Sequence, residues 1–253
     1  MWHKAWLDTR WRFIIGLGVL VLLAMGTVMG YPLVARRLLS VQRLPETDDL
    51  VSRAIRESIE LSRTFRGHVW MNAFRQNFAH LGTLFAILLG SGGLRTERVG
   101  TLFTLSLPVS RRALVLSRAA CGLTELFALV MIPALMIPLM APAIGERYAP
   151  LDAIVHGLCL FVAATAFFSL TFWLSTTSSD VWRPGLFVCG IAILVALCEA
   201  ALPWTASFGV FHAMRGDSYF RDATVPWMGL VIAVAASAVL LYRALVVVER
   251  QDY

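Results

Sequence analysis

Ile14-Ile-Gly-Leu-Gly-Val-Leu-Val-Leu-Leu-Ala-Met-Gly-Thr-Val-Met-Gly-Tyr-Pro-Leu-Val34 decides the fold class. These 21 residues contain no Asp, Glu, Lys or Arg, and a helix of about 20 apolar residues crosses a hydrocarbon core ~30 Å thick. Similar runs recur at 78–94, 114–140, 153–175, 185–202 and 226–248, so the sequence predicts an all-α membrane protein with six spans. The second and fifth runs are short, and the long third run holds Pro133 and Pro138, residues of the type that kinks helices. Composition agrees. Of 253 residues, 58% are hydrophobic and 15% charged, and the mean hydropathy is +0.71, whereas soluble domains run at roughly 45–50% apolar and about 25% charged. A cytosolic enzyme and a secreted disulfide scaffold are excluded, and the alternation of a β-barrel is absent. No domain boundary or low-complexity stretch interrupts residues 1–253, which read as one transmembrane domain.

The residues before the first run, Met1-Trp-His-Lys-Ala-Trp-Leu-Asp-Thr-Arg-Trp-Arg-Phe13, have the charge of a signal-peptide lead. The run that follows ends in Tyr31-Pro32 without a small-residue cleavage site, which fits a retained span. At about 100° per residue, Trp2, Trp6, Thr9 and Phe13 share one face. Two readings fit: a short amphipathic helix in the interface with its indoles at headgroup depth, or an ordinary aromatic anchor.

Six spans put both termini on one side. With the termini inside, Lys4, Arg10, Arg12, Arg95, Arg98, Arg111, Arg112, Arg118, Arg183, Arg243 and Arg250 face the cytoplasm; eleven basic residues lie outside, eight of them between Arg36 and Arg75. That loop has a helical pattern. Val51, Ala54, Ile55, Leu61, Phe65 and Val69 fall on one half of the wheel, and Arg53, Arg56, Glu57, Glu60, Arg63 and Arg66 on the other. Arg53 with Glu57 and Arg56 with Glu60 are four apart, so part of the loop's charge is paired. Without the loop the balance is eleven against three, and both termini are expected in the cytoplasm.

Catalytic motifs are missing in an informative way. Of 22 basic residues only Lys4 is a lysine, and it has no glycine-rich context, so the P-loop that holds nucleotide phosphates is absent. Cys121, Cys159, Cys189 and Cys198 lie in apolar runs without paired spacing and read as small core residues. The Met25/Met29 and Met131/Met136/Met140 groups read as helix packing, and no metal site is expected. His80 and His156 stand alone and read as interfacial residues. Neither His-Glu-x-x-His nor Gly-x-Ser-x-Gly occurs.

The informative stretch is Leu94-Arg-Thr-Glu-Arg-Val-Gly-Thr-Leu-Phe-Thr-Leu-Ser-Leu-Pro-Val-Ser-Arg-Arg-Ala-Leu-Val-Leu-Ser-Arg118. As a helix over about 96–106 it sets Val99, Leu102, Phe103 and Ser106 on one side and Glu97, Thr101 and Thr104 opposite, so it can lie along the membrane and offer a carboxylate to a soluble partner. Pro108 ends it, Ser110 is placed to cap the third span, and Arg111, Arg112 and Arg118 suit lipid phosphates.

These residues resemble the signature of the ABC type-2 permeases, membrane subunits of ABC exporters: Glu97, Gly100-Thr101-Leu102, Leu105 and Leu107-Pro108-Val109-Ser110-Arg111, with Arg118 where a Lys is frequent. The layout is similar too, with a basic amphipathic lead, a large first outer loop, six spans, and a stretch from Pro203-Trp204 through Arg215-Gly216-Asp217 to Phe220 that looks like a re-entrant outer hairpin. The resemblance implies a multi-pass subunit in the inner membrane of a bacterium, paired with a second permease chain and two copies of a separate ABC ATPase. That ATPase would hold ATP and magnesium; this chain would bind no cofactor, act as no enzyme and contact no nucleic acid. By the same resemblance 96–106 is a coupling helix, with Glu97, Arg98, Gly100 and Thr101 at the ATPase contact and Pro108 and Arg111 setting the entry into the third span.

Glu125, about a third of the way down the third span, admits two readings. An ionised group there costs at least ~2.5–3.5 kcal/mol on insertion scales, so it faces a bundle interior, either bonded to Thr124, Ser117 or a neighbouring helix or lining a pathway. Glu199, near the outer end of the fifth span, reads as a mouth residue. An apolar pathway suits an amphipathic or lipophilic cargo; the other reading is a mechanical or assembly subunit that moves no solute.

Overall fold

The computed structural model describes residues 2–40, 50–91, 111–178, 180, 182–202, 204 and 208–250. All regular elements among the described residues are helical. Helix α1 (Trp2–Ser40), α2 (Leu50–Ser62), α3 (Phe65–Val69) and α4 (Ala79–Gly90) are followed by α5 (Arg111–Met140), α6 (Pro150–Thr177), α7 (Trp182–Ala201), α8 (Val210–Arg215), α9 (Asp217–Asp222) and α10 (Trp227–Arg250). Among the described residues five stretches are long and apolar enough to cross a membrane: Ala5–Leu38, Arg112–Ile144, Pro150–Thr177, Trp182–Ala201 and Trp227–Glu249. The chain is therefore a multi-pass membrane protein.

The region of the expected second span has a different form. α3, a π-helical stretch Trp70–Phe78 and α4 follow one another without interruption from Phe65 to Gly90. The apolar part, α4, is 12 residues long, and the half before it carries Arg66, His68, Asn72, Arg75, Gln76 and Asn77, outside the apolar run that begins at Phe78. Trp70, Phe74 and Phe78 explain why it is helical. Spaced by four, all three are fully buried in the core. π-Helical turns are rare and concentrate at functional sites.

The first outer loop is helical as its wheel indicates, but α2 stops at Ser62. Thr64, extended at φ −101° and ψ 143°, begins a new helix by accepting a hydrogen bond from Gly67 N–H at 3.1 Å. Phe65 and Val69 therefore belong to the next helix and are buried in the core.

Side-chain contacts fix the directions of the rods. Gly16 meets Phe85 and Leu129, and Tyr31 stacks edge-on against Phe65, so α1 runs against the 65–90 rod. α5 opposes α6, because Gly122 meets Phe168 and Gly157 meets Met131. α4 and α6 run parallel and very close: a Cβ on Gly90 would lie 2.6 Å from the Phe168 carbonyl oxygen. Such small residues let helix backbones approach where hydrophobicity gives no drive between helices in lipid. α10 packs along α6, where Thr165 and Ser237 share a hydrogen bond at 2.9 Å. α7 is the least buried of the five long helices; Phe187, Ile193, Leu194 and Leu197 are exposed along it, and so is Cys198, which the sequence had placed in the core.

The amino-terminal lead is not a separate element. α1 is continuous for 39 residues and passes through Pro32; at 1.5 Å per residue that is roughly 58 Å. The Trp6/Thr9/Phe13 face turns toward the bundle, with Thr9 buried and Trp6 edge-on to Phe13 at 5.4 Å, while Trp11 is exposed.

Candidate functional site

Glu97, Arg98, Gly100, Thr101 and Pro108 lie outside the described residues, as does the side chain of Arg111. What is described is the frame on either side of them. α4 ends with its last carbonyls held: Arg12 Nη1 donates to Leu88 O at 2.8 Å and to Ser91 Oγ at 3.0 Å, and Ser175 Oγ donates to Gly90 O at 3.3 Å. α5 begins at Arg111. Arg112 forms a fork with Glu249 of α10, its Nη2 3.1 Å from Oε2, and Arg118 Nη2 is 3.8 Å from Asp8 Oδ2. Two of the three arginines expected on lipid phosphates thus have carboxylates of this chain beside them.

Glu125 is 4% exposed at the α1–α5 contact. Thr9 Oγ1 donates to its Oε1 at 2.5 Å, Cys121 Sγ lies 3.7 Å from the same oxygen, and Oε2 has no partner among the described residues. Thr124 and Ser117, on its own helix, donate to the carbonyls of Ala120 and Leu114 instead. Glu199 is a helix cap. Its Oε1 accepts from Phe211 N–H at 3.1 Å and its Oε2 from His212 N–H at 3.0 Å, tying the end of α7 to the start of α8. Carboxylates at helix N-termini are stabilised by the unpaired amides and the helix dipole.

A second cluster, at the opposite end of the bundle, escaped the sequence reading. Asp152 on α6 accepts from Arg66 Nε at 2.8 Å and from Tyr219 Oη at 3.0 Å. Trp70 stacks on Phe220 at 4.2 Å and donates from Nε1 to Arg215 O at 3.1 Å; Arg75 lies over its ring and Arg66 over that of Phe220. His156 is 1% exposed, so it is a core residue and not an interfacial one. Its Nδ1 lies 2.8 Å from Asp152 O, and its ring touches Gly216, whose φ of +63° turns the chain from α8 into α9. His212 Nδ1 is 3.1 Å from Asp217 Oδ2. Burial pushes the Asp217 carboxyl above the usual carboxylate range, against the pull of His212, Arg75, Arg215 and Arg221; burial also raises the Tyr148 hydroxyl nearby. Of this cluster the sequence shows only separate parts: the stretch from Arg215-Gly216-Asp217 to Phe220, Arg66 on the loop helix and the isolated His156.

Glu57 of α2 is bonded by Arg221 of α9, which ties α2 to the α8–α9 pair. Among the described residues no three His, Cys, Asp or Glu side chains converge to hold a metal ion. No family model, no curated protein and no solved structure matches the chain.

Proposed function

We propose that this chain is the membrane-spanning subunit of an ABC exporter of the type-2 kind, driven by a separate ATPase. The observation that carries the reading is the 94–118 stretch, with its Glu97, Gly100-Thr101 and Pro108-Val109-Ser110-Arg111 pattern. Its support from the fold is that α4 ends and α5 begins at one end of the bundle, the end of Arg12 and Glu249. On this reading the 65–90 rod carries the sixth span. Both termini and residues 92–110 are cytoplasmic, in the inner membrane of a bacterium, and the α8–α9 pair forms the re-entrant outer hairpin. Glu97, Arg98, Gly100 and Thr101 contact the ATPase, with Pro108 and Arg111 setting the angle into α5.

Two permease chains and two ATPase chains form the transporter. ATP and magnesium are bound by the ATPase, whose closing and opening would swing a gripped helix and alternate the access of the pathway. The cargo is amphipathic or lipophilic, and Glu125 and Glu199 flank its route. Co-expression with a cognate ABC ATPase tests this: a complex of two and two chains is expected, with ATP hydrolysis only when the ATPase is present and export of a lipophilic dye in vesicles. Hydrolysis by the lone chain above a mock preparation refutes the reading, and a stable complex that moves no solute favours the mechanical role.

A further inference from the structure

We propose that residues 8–16 of α1 form a bracket that fixes the end of α4 relative to the beginning of α5, with Arg12 and Thr9 as its positioning residues. Three independent contacts define it. Toward α4, the half-buried Arg12 guanidinium closes the last turn through Leu88 O and Ser91 Oγ, and Ser91 Oγ donates to the same carbonyl at 2.8 Å. A cation there meets a last-turn carbonyl and the negative end of the helix dipole. Toward α5, Thr9 donates to Glu125 and Asp8 lies beside Arg118.

Between these, α1 packs closely on both helices. A Cβ on Gly16 would stand 2.8 Å from both Phe85 Cδ1 of α4 and Leu129 Cδ1 of α5. α5 also packs far more extensively on α1 than on α4. α6 packs on both α4 and α5 as well, so α1 is one of two helices that join their ends, and its own links there are Arg12, Thr9 and Asp8. Glu125 gains a role of its own here: it is the pin on the α5 side, a buried carboxylate held by a hydroxyl 116 positions earlier. In one respect the inference rests on the proposed function, namely that an ATPase displaces these two helix ends.

The test uses spin labels at Leu84→Cys on α4 and Leu116→Cys on α5, both exposed positions, in the full chain in lipid nanodiscs with Cys189 and Cys198 replaced by Ala. The parent should give one narrow distance distribution. Arg12→Leu and Thr9→Val should each broaden it, Arg12→Lys should restore it, and Arg10→Leu, on the exposed side of the same turns, should leave it narrow. In the assembled complex Arg12→Leu should lower cargo-stimulated ATP hydrolysis about tenfold, within the usual range of coupling free energies, at unchanged stoichiometry. Unchanged distributions in Arg12→Leu and Thr9→Val overturn the bracket whatever the hydrolysis shows. Broadened distributions with normal stimulation overturn its part in coupling. Broadened distributions in a chain whose parent form recruits no ATPase leave the bracket standing and remove the transporter reading.

Discussion

Truncating Trp70 is the sharpest probe of how the α8–α9 pair is fastened. The indole is 1% exposed, stacks on Phe220 with an interplanar angle of 8°, and donates to Arg215 O. Trp70→Phe keeps a ring in the same place. It loses the hydrogen bond, worth about 1 kcal/mol net, and part of a stacked pair worth ~0.5–1.5 kcal/mol, so a cost of about 1–2 kcal/mol follows. Trp70→Ala empties the site and should cost ~3–5 kcal/mol, the range for large aromatic truncations in packed cores. For chains of this size each kcal/mol moves the unfolding midpoint by about 2–4 °C. The midpoint in nanodiscs should therefore fall by roughly 2–8 °C for Phe and roughly 6–20 °C for Ala by that conversion. Limited proteolysis should also cut between 204 and 226 earlier in the Ala variant. Equal midpoints for the two variants, or an unchanged midpoint for Trp70→Ala, would refute the claim that this ring joins the 65–90 rod to the α8–α9 pair.

Three further outcomes follow from single contacts. Gly90→Ala forces α4 away from the Phe168 backbone and should lower stability by about 1–3 kcal/mol as an overpacking change, read as a lower unfolding midpoint. Glu199→Ala removes both caps of α8 and should cost ~0.5–2 kcal/mol locally, seen as faster hydrogen exchange at 211 and 212 with little change elsewhere. Asp217 has a raised pKa in the folded protein. It holds its proton more tightly folded than unfolded, so its contribution to stability falls as pH rises from the unfolded value of about 3.9 through the folded one. The stability of Asp217→Asn relative to the parent should therefore grow over that window as pH rises, and a flat or declining difference would contradict the burial argument.

The apolar runs foretold α1, α5, α6, α7 and α10 because length and hydropathy alone decide whether a helix can cross lipid. The 65–78 segment was hidden because Arg66, His68, Asn72, Arg75, Gln76 and Asn77 interrupt its apolar pattern, and the Trp70/Phe74/Phe78 spacing gains meaning only once α6 and the α8–α9 pair pack on it. Thr64 and Gly67 likewise look like loop chemistry until the cap is seen. Glu125 was legible as a residue needing a partner, but not the partner itself, since Thr9 lies on another helix. Glu199 could not be read as a cap, because a carboxylate bonded to backbone amides leaves no side-chain pattern in the sequence. His156 is the converse case: an isolated histidine gave no sign that Phe74, Tyr219 and Gly216 enclose it.

The central claim is that the polar stretch after α4 grips a nucleotide-hydrolysing partner, and a charge reversal in that stretch tests it most directly. Losing one partner of a desolvated charged contact costs ~2–5 kcal/mol at an interface. The measurement is capture of the co-expressed ATPase by affinity-tagged Glu97→Arg, with Glu146→Arg, in the loop between α5 and α6 at the opposite end of the bundle, as the control. Glu57→Arg would be a poor control because Glu57 is bonded to Arg221. Glu97→Arg should reach the membrane at the parent's level yet recover less than a tenth of the parent's ATPase, while Glu146→Arg recovers it in full. Full recovery with Glu97→Arg, together with undiminished ATP-dependent export, would contradict the account.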